Sequence, residues 1–237
     1  IIPVDYIPRK GSFAFFQKKI NRWFRKRSNH VGKKRIKTHF KYYFFQDEHD
    51  EYTSAKQILH HVHFTPDVIL LYWISEFITS KTIKELHEIT GARIYWLMMD
   101  NAPITGGCHY PWDCNGYKRY CENCPAIIEE ESNKKAFDNL SIKHVNLPIS
   151  LTFIAGSEQD YKRAEDATVC KNRNILKILG LVDENKFKPF DKIQAKEHFG
   201  ISSNLKVIFF GATKLTEKRK GIDLLINSFS QLKDYLK

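Results

Sequence analysis

The sequence predicts an α/β protein with a Rossmann-like parallel sheet, followed by the start of a second Rossmann-like domain. Apolar runs of strand length alternate with helix-like segments through most of the 237 residues, which is typical of βαβ units. A Pro-containing loop at residues 186–191 separates two series of such units. No apolar run approaches the roughly 20 residues that span a bilayer. We therefore expect a cytoplasmic protein in a reducing environment.

The net charge of +11 is concentrated in residues 1–45, a basic arm. Thirteen Lys and Arg stand there against one acid, whereas the other 192 residues carry 25 basic and 26 acidic groups. Apolar side chains recur in the arm at three- and four-residue steps, which predicts a basic amphipathic helix; they are Phe13, Phe16, Ile20, Trp23 and Phe24. This helix either docks on the protein or contacts anionic lipid headgroups. Nucleic acid is not an expected partner, because no nucleic-acid module follows.

The predicted N-terminal domain, residues 46–188, begins with a helix at 55–61 and a strand at 66–74. A continuous apolar run of this kind predicts a strand that is buried on both faces. Thr79 and Ser80 are candidate caps for a helix that ends at Gly91, and residues 92–98 predict a second buried strand. Strand, helix and strand together predict a βαβ unit.

The carboxyl end of the second strand is the first candidate site. Ligands of such sheets bind outside the carboxyl ends of the strands, and Asp100 comes two residues after the predicted second strand. The turn of Thr105, Gly106 and Gly107 comes next. Topology therefore makes Asp100 a catalytic candidate and the turn a candidate substrate-binding segment.

The remaining elements continue the alternation of strands and helices, first in the N-terminal domain and then in a second domain. We predict a helix at 133–143, a strand at 151–155, a helix after Ser157 to about residue 167, and a strand at 175–179. The second domain, residues 189–237, adds a helix at 192–199, a strand at 206–210 and a helix at 221–235. One strand cannot complete such a layer. We therefore expect the sequence to be truncated at this end, and also at its start, where the first residue is not Met.

Four of the five cysteines crowd into a Cys-rich insertion at residues 101–125: Cys108, Cys114, Cys121 and Cys124. The final Cys-x-x-Cys pair is suited to chelating one ion, and short spacers with glycine turns favour a tetrathiolate site with structural zinc. One or two disulfides, or unligated thiols, are the alternatives. His109 is a candidate fifth donor or binds a nearby carbonyl, and we count it among the substrate-binding candidates.

Several motifs carry a family resemblance: WLMMD (96–100) leading into TGGCHYPWDC (105–114), CENCP (121–125), Phe187-Lys188-Pro189, and FFGAT (209–213) with KRKGIDLL (218–225). Together they resemble bacterial glycosyltransferases of the GT-B fold, in the large retaining family that builds surface polysaccharides. The resemblance covers about residues 66–237. It implies two Rossmann-like domains facing across a cleft, with a glycan or lipid-linked acceptor on the first domain and a nucleotide-sugar donor on the second. It also implies work at the inner membrane face without a catalytic metal.

Arg219 and Lys220 are the candidate donor site. A strand, a turn and two cations before a helix N-terminus predict an anion site, and the resemblance implies that this basic pair binds the diphosphate. The alternative is a solvated basic run. Many relatives carry an Arg where Ala212 stands and a His where Met99 stands, which leaves Asp100 as the base or the acceptor-hydroxyl ligand.

The paired glutamates that hold the donor in this family lie beyond the sequence, so we expect the chain alone to be inactive. The alternative function is a non-catalytic, zinc-stabilised binding module that docks on membrane or nucleic acid through its basic arm.

Overall fold

The computed structural model describes residues 36–45, 47–50, 52–129, 134–180, 182–212 and 217–232. The amphipathic helix predicted in the basic arm lies outside these residues. The chain divides into two compact units, Ile1–Leu181 and Val182–Lys237.

A parallel sheet of four strands is the centre of the described part of the first unit. The strands are β1 (Val68–Leu71), β2 (Arg93–Met98), β3 (Thr152–Ala155) and β4 (Asn174–Lys177). They lie side by side in chain order, and every neighbouring pair is parallel. The α/β class and the Rossmann-like parallel sheet are therefore confirmed for this unit.

Strand β1 differs from its prediction as a strand buried on both faces. It is an edge strand of the sheet, and Val68 and Leu70 are each 46 % exposed. Val68 and Leu70 share one face of the strand, whereas Leu71 on the other face is 6 % exposed, so among the described residues only one face of β1 is well covered. The inner strands are better covered, and the stacked rings of Trp96 in β2 and Phe153 in β3 lie in the core with centroids 6.1 Å apart.

The described part of this unit contains four helices: α1 (Ala55–His60), α2 (Ser80–Thr90), α3 (Lys135–Asn146) and α4 (Glu158–Asp166). The predicted caps are present. Thr79 and Ser157 accept backbone N–H groups at the starts of α2 and α4, and Gly91 ends α2 at φ 68°. Side-chain acceptors satisfy amides that the first helical turn leaves unpaired. These helix boundaries are thus set by local chemistry.

Arg173 ties the end of α3 to the start of β4. Its guanidinium donates to the carbonyls of His144, Leu147, Pro148 and Val169 at 2.6–3.2 Å. Carbonyls at a helix C-terminus lack partners within the helix, so this single cation satisfies several of them at once.

Arg173→Met is expected to lower the free energy of unfolding by about 2 kcal/mol, because charge-assisted bonds are lost while water replaces some of them. Urea denaturation measures the change. Arg163→Met is the matched control, since Arg163 makes one exposed bond to the Trp112 carbonyl. Equal losses in the two variants would remove this role from Arg173.

The second unit contains α5 (Lys192–His198), a 3₁₀ turn at Lys218–Lys220 and α6 (Ile222–Leu232). The strand predicted at 206–210 is wrong. Those residues are described but form no strand, and Phe209 is 90 % exposed. A strand needs a partner for its backbone N–H and C=O groups, and the described residues of this unit provide none. Among all described helices, none has the length and apolarity to cross a membrane.

Candidate functional site

The candidate site lies where the carboxyl ends of β1 and β2 meet. Ser75 lies in the loop that follows β1, and Asp100 lies two residues after β2. His109 comes from the Cys-rich segment. Asp100 is 9 % exposed and His109 is 1 % exposed, so the site contains a buried acid and a buried imidazole.

These three side chains form a continuous hydrogen-bonded chain. The Nδ1 of His109 lies 2.7 Å from Oδ2 of Asp100, and its Nε2 lies 3.3 Å from Oγ of Ser75. The other carboxylate oxygen of Asp100 accepts the backbone N–H of Ala102 at 2.8 Å. A carboxylate only accepts, so Nδ1 carries the hydrogen, and in the neutral ring Nε2 is left to accept from Ser75. The prediction that the His109 ring binds a nearby carbonyl is therefore wrong: its two nitrogens bond a carboxylate and a hydroxyl.

Aromatic rings enclose the imidazole of His109. Trp73 stacks on it with ring centroids 4.3 Å apart, and Tyr43 and Phe45 meet it edge-on at 5.2 and 5.0 Å. Trp73 and Tyr43 are 47 % and 49 % exposed. The same rings therefore shield the histidine and form the surface of the protein beside it.

The turn of Thr105, Gly106 and Gly107 is packed inside the first unit. Thr105 Oγ donates to the carbonyl of Cys108 at 2.7 Å, and the Gly107 carbonyl accepts the N–H of Phe45 at 2.9 Å. A Cβ on Gly106 would lie 2.1 Å from the Ala136 carbonyl oxygen. These contacts give the turn a structural role; substrate binding by its residues stays a prediction.

Two polar residues of α3 hold this turn, and sequence reasoning missed both. Lys143 Nζ donates to the carbonyls of Ala102 and Thr105 at 2.8 and 3.0 Å, and Asn139 donates to the Gly106 carbonyl at 2.9 Å. Asn139 is 1 % and Lys143 6 % exposed. Asn139 and Lys143 are four positions apart and so lie on the same, buried side of α3. This side of a helix normally carries apolar side chains, so two polar residues there could have indicated a structural role from the sequence.

The four clustered cysteines line one small cavity of about 10 Å³, and none of them forms a disulfide. A space of this size holds a single small atom. The fifth cysteine, Cys170, is buried but does not line this cavity.

Backbone N–H groups point at the sulfurs of the cluster. Gly106 N lies 3.3 Å from Cys121 Sγ, and Gly116 N lies 3.4 Å from Cys114 Sγ. Cys124 accepts from Cys108 and from backbone amides, and these bonds lower its pKa to about 7. Burial raises the pKa of Cys121 to about 12, opposed by the Gly106 amide and the charge of Lys143. The surroundings of Cys124 thus favour a thiolate.

The donor set fits a tetrathiolate metal ion by its chemistry. Four sulfurs surround one atom-sized cavity, and amide donors are the groups that stabilise metal-bound thiolates. Within the part of the chain that is described, however, no three His, Cys, Asp or Glu side chains already stand in a ligand arrangement. Cys108 instead shares a hydrogen bond with Cys124, which raises the pKa of Cys108. Metal binding would have to displace that proton.

The second unit places Arg219 and Lys220 on the 3₁₀ turn before α6. Gly221, at φ 72°, ends the turn. Arg219 Nε forms an ion pair with the Glu217 carboxylate, and the Lys220 side chain is exposed. The turn and the helix N-terminus of the predicted anion site are present, whereas its strand is absent from residues 206–210.

The first unit thus defines an α/β protein with a Rossmann-like parallel sheet and a Ser–His–Asp chain at its carboxyl edge. Comparison with protein-family models matches none of them, and comparisons with curated proteins and with solved structures also return no match. The resemblance to GT-B glycosyltransferases therefore stays a prediction from the motifs.

Proposed function

We propose that this protein is a GT-B glycosyltransferase that moves a sugar from a nucleotide-sugar donor to a glycan or lipid-linked acceptor in surface polysaccharide synthesis. The observation that carries the proposal is the buried Asp100–His109 pair beyond the carboxyl end of β2. Ligands of parallel sheets bind at that edge, and a carboxylate–imidazole pair is suited to accept a proton from an acceptor hydroxyl. Two of the motifs that resemble the family, WLMMD and TGGCHYPWDC, contain these two residues.

In this proposal the nucleotide-sugar donor binds to the second unit. Lys220, with Arg219, binds the diphosphate, whose negative charge grows as the bond to the sugar breaks. The N-terminus of α6 adds the partial positive charge of its free amides. The pairing of Arg219 with Glu217 leaves Lys220 as the stronger candidate of the two.

Structural zinc on Cys108, Cys114, Cys121 and Cys124 is the cofactor we propose. Four thiolates would complete the coordination of the ion and leave no open position for substrate. The metal would then stabilise the fold, and the transfer would not use a catalytic metal. The basic arm would hold the enzyme at the anionic inner face of the membrane.

A non-catalytic, zinc-stabilised binding module is the second candidate. It is favoured by the turn of Thr105, Gly106 and Gly107, whose polar groups bond within the protein. Such a module would carry the same parallel sheet and cysteine cluster, but its Asp100 would have a structural role only.

Two variants of the complete protein separate these functions. Lys220→Ala is expected to weaken binding of UDP- or GDP-linked sugars about tenfold or more, since a charge-assisted phosphate contact contributes roughly 1.5 to 3 kcal/mol. Asp100→Asn is expected to leave nucleotide binding nearly unchanged and to reduce turnover about 100-fold, the usual scale for losing a group that takes part in proton transfer.

Calorimetric titration of the nucleotide sugar and a sugar-transfer assay measure these two effects. Lys206→Ala is the matched control, because it removes the same charge from an exposed position in the second unit. A Lys220 variant that binds as tightly as the control would refute the phosphate assignment. Absence of transfer by the complete wild-type protein would favour the binding module.

A further inference from the structure

Ser75 is the solvent-side end of the hydrogen-bonded chain that runs through His109 to Asp100. We infer that Ser75 meets the acceptor hydroxyl and that Ser75, His109 and Asp100 relay its proton away; this inference rests on the proposed sugar transfer. Asp100 then acts through the histidine and does not touch the acceptor.

Asp100 is poorly placed to meet a substrate itself. Its side chain is 6 % exposed. One oxygen accepts from the backbone of Ala102, and the other accepts from His109. A general base must lie within hydrogen-bond reach of the proton it takes, and here the surrounding protein occupies both oxygens.

His109 is also closed to a direct contact with the acceptor. Its side chain is 1 % exposed, with Trp73 stacked on one face and two further rings at its edges. The remaining ring nitrogen, Nε2, points at Ser75. Any proton that reaches the imidazole from outside along this chain therefore passes through the Ser75 hydroxyl.

Ser75 has the exposure and the fixed position that this role needs. It is half-buried, and its hydroxyl keeps lone pairs after donating to His109. Trp96 fixes the start of the loop by donating to the Tyr72 carbonyl at 3.1 Å. A local turn then encloses Ser75, with the Phe77 and Ile78 amides donating to the Ile74 carbonyl. Within this loop Glu76 adopts φ 58°, a left-handed conformation that residues other than glycine rarely adopt.

The proposed proton relay accounts for every proton and electron pair that moves during sugar transfer. The acceptor hydroxyl gives its proton to Ser75 Oγ as Ser75 passes its own proton to His109 Nε2. The acceptor oxygen forms the bond to the anomeric carbon, and the bond from that carbon to the diphosphate oxygen breaks with its electron pair leaving on the diphosphate. The Asp100 carboxylate stabilises the resulting imidazolium, which afterwards returns the proton to the diphosphate or to water.

The first unit contains a second Ser–His pair that serves as a matched control. Ser150 Oγ lies 3.5 Å from Nε2 of His87, but Nδ1 of His87 bonds the Ala92 carbonyl at 2.9 Å. A neutral carbonyl stabilises an imidazolium less than a carboxylate does. Only the pair that contains His109 has the third member of a relay.

In the complete protein, Ser75→Ala is expected to lower kcat for sugar transfer about 100-fold, the scale of a lost acid–base contact, while calorimetry finds unchanged nucleotide binding. Ser75→Thr keeps the hydroxyl and should restore most of the turnover. Ser150→Ala should behave as wild type. Independently of transfer, ¹⁵N NMR should find His109 in the Nδ1–H tautomer, with an Nε2 signal that shifts in Ser75→Ala and does not shift in Ser150→Ala.

Ser75→Ala with wild-type turnover, or His109 with its hydrogen on Nε2, would overturn the relay while leaving the proposed transferase intact. A complete wild-type protein that binds the nucleotide sugar but transfers nothing would instead remove the proposed function, and the relay with it. The three results are distinct: the first two test the roles of Ser75 and His109 in the relay, and the last tests whether the wild type transfers sugar at all.

Discussion

Cys121→Ser and Cys124→Ser are each expected to lose the one zinc that we propose per chain and to lower the free energy of unfolding by more than about 4 kcal/mol. The loss is large because the cluster is part of the core. Cys108, Cys121 and Cys124 are at most 7 % exposed and pack with Tyr117. Without the ion, four converging cysteines, three of them buried, lose the bonds to a common centre.

Zinc content by mass spectrometry and thermal unfolding under reducing conditions measure this result. Cys170→Ala is the matched control. Cys170 is 3 % exposed and lies outside the cavity, and burial raises the pKa of its thiol to about 12, so it remains a protonated thiol. The control should keep the zinc. If chelator treatment left the wild-type protein free of metal and its thermal stability unchanged, the zinc proposal would be contradicted.

Gly106→Ala is expected to lower the free energy of unfolding by about 3 kcal/mol, the upper part of the range for overpacking. The new Cβ would lie 2.1 Å from the carbonyl oxygen and 2.7 Å from the carbonyl carbon of Ala136. Both atoms belong to the backbone of α3, which is held in its helical conformation and cannot turn aside as a flexible side chain could. The Cys-rich segment or the helix must therefore move.

Gly156→Ala is the control for the backbone effect of the substitution, because its Cβ meets no atom within 4 Å. Urea denaturation of both variants separates the cost of the steric clash from the effect of replacing a glycine. Similar midpoints would mean that the turn separates from α3 at little cost. A large loss in Gly106→Ala should also disturb the site, since Cys108 and His109 follow the same turn.

The caps of α2 and α4 and the cysteine cluster could be predicted from the sequence because both depend on short-range chemistry, whereas the helix predicted at 133–143 runs over Lys135–Asn146 and has no side-chain cap. The cap at Thr79, the stop at Gly91 and the cap at Ser157 each involve residues within a few positions. The convergence of four cysteines depends on their spacing and on glycines between them. Asp100 could be placed at the carboxyl edge from strand order along the chain.

The sequence by itself therefore determined the α/β class, the caps and the convergence of the cysteines. Only the tertiary structure decided that β1 lies at the edge of the sheet and that residues 206–210 form no strand, because strand pairing depends on a partner remote in sequence. It also decided that His109 joins Asp100, nine positions away, to Ser75, 34 positions away. Hydrogen bonds at such separations follow from how the loops after two strands pack together, which no local pattern encodes.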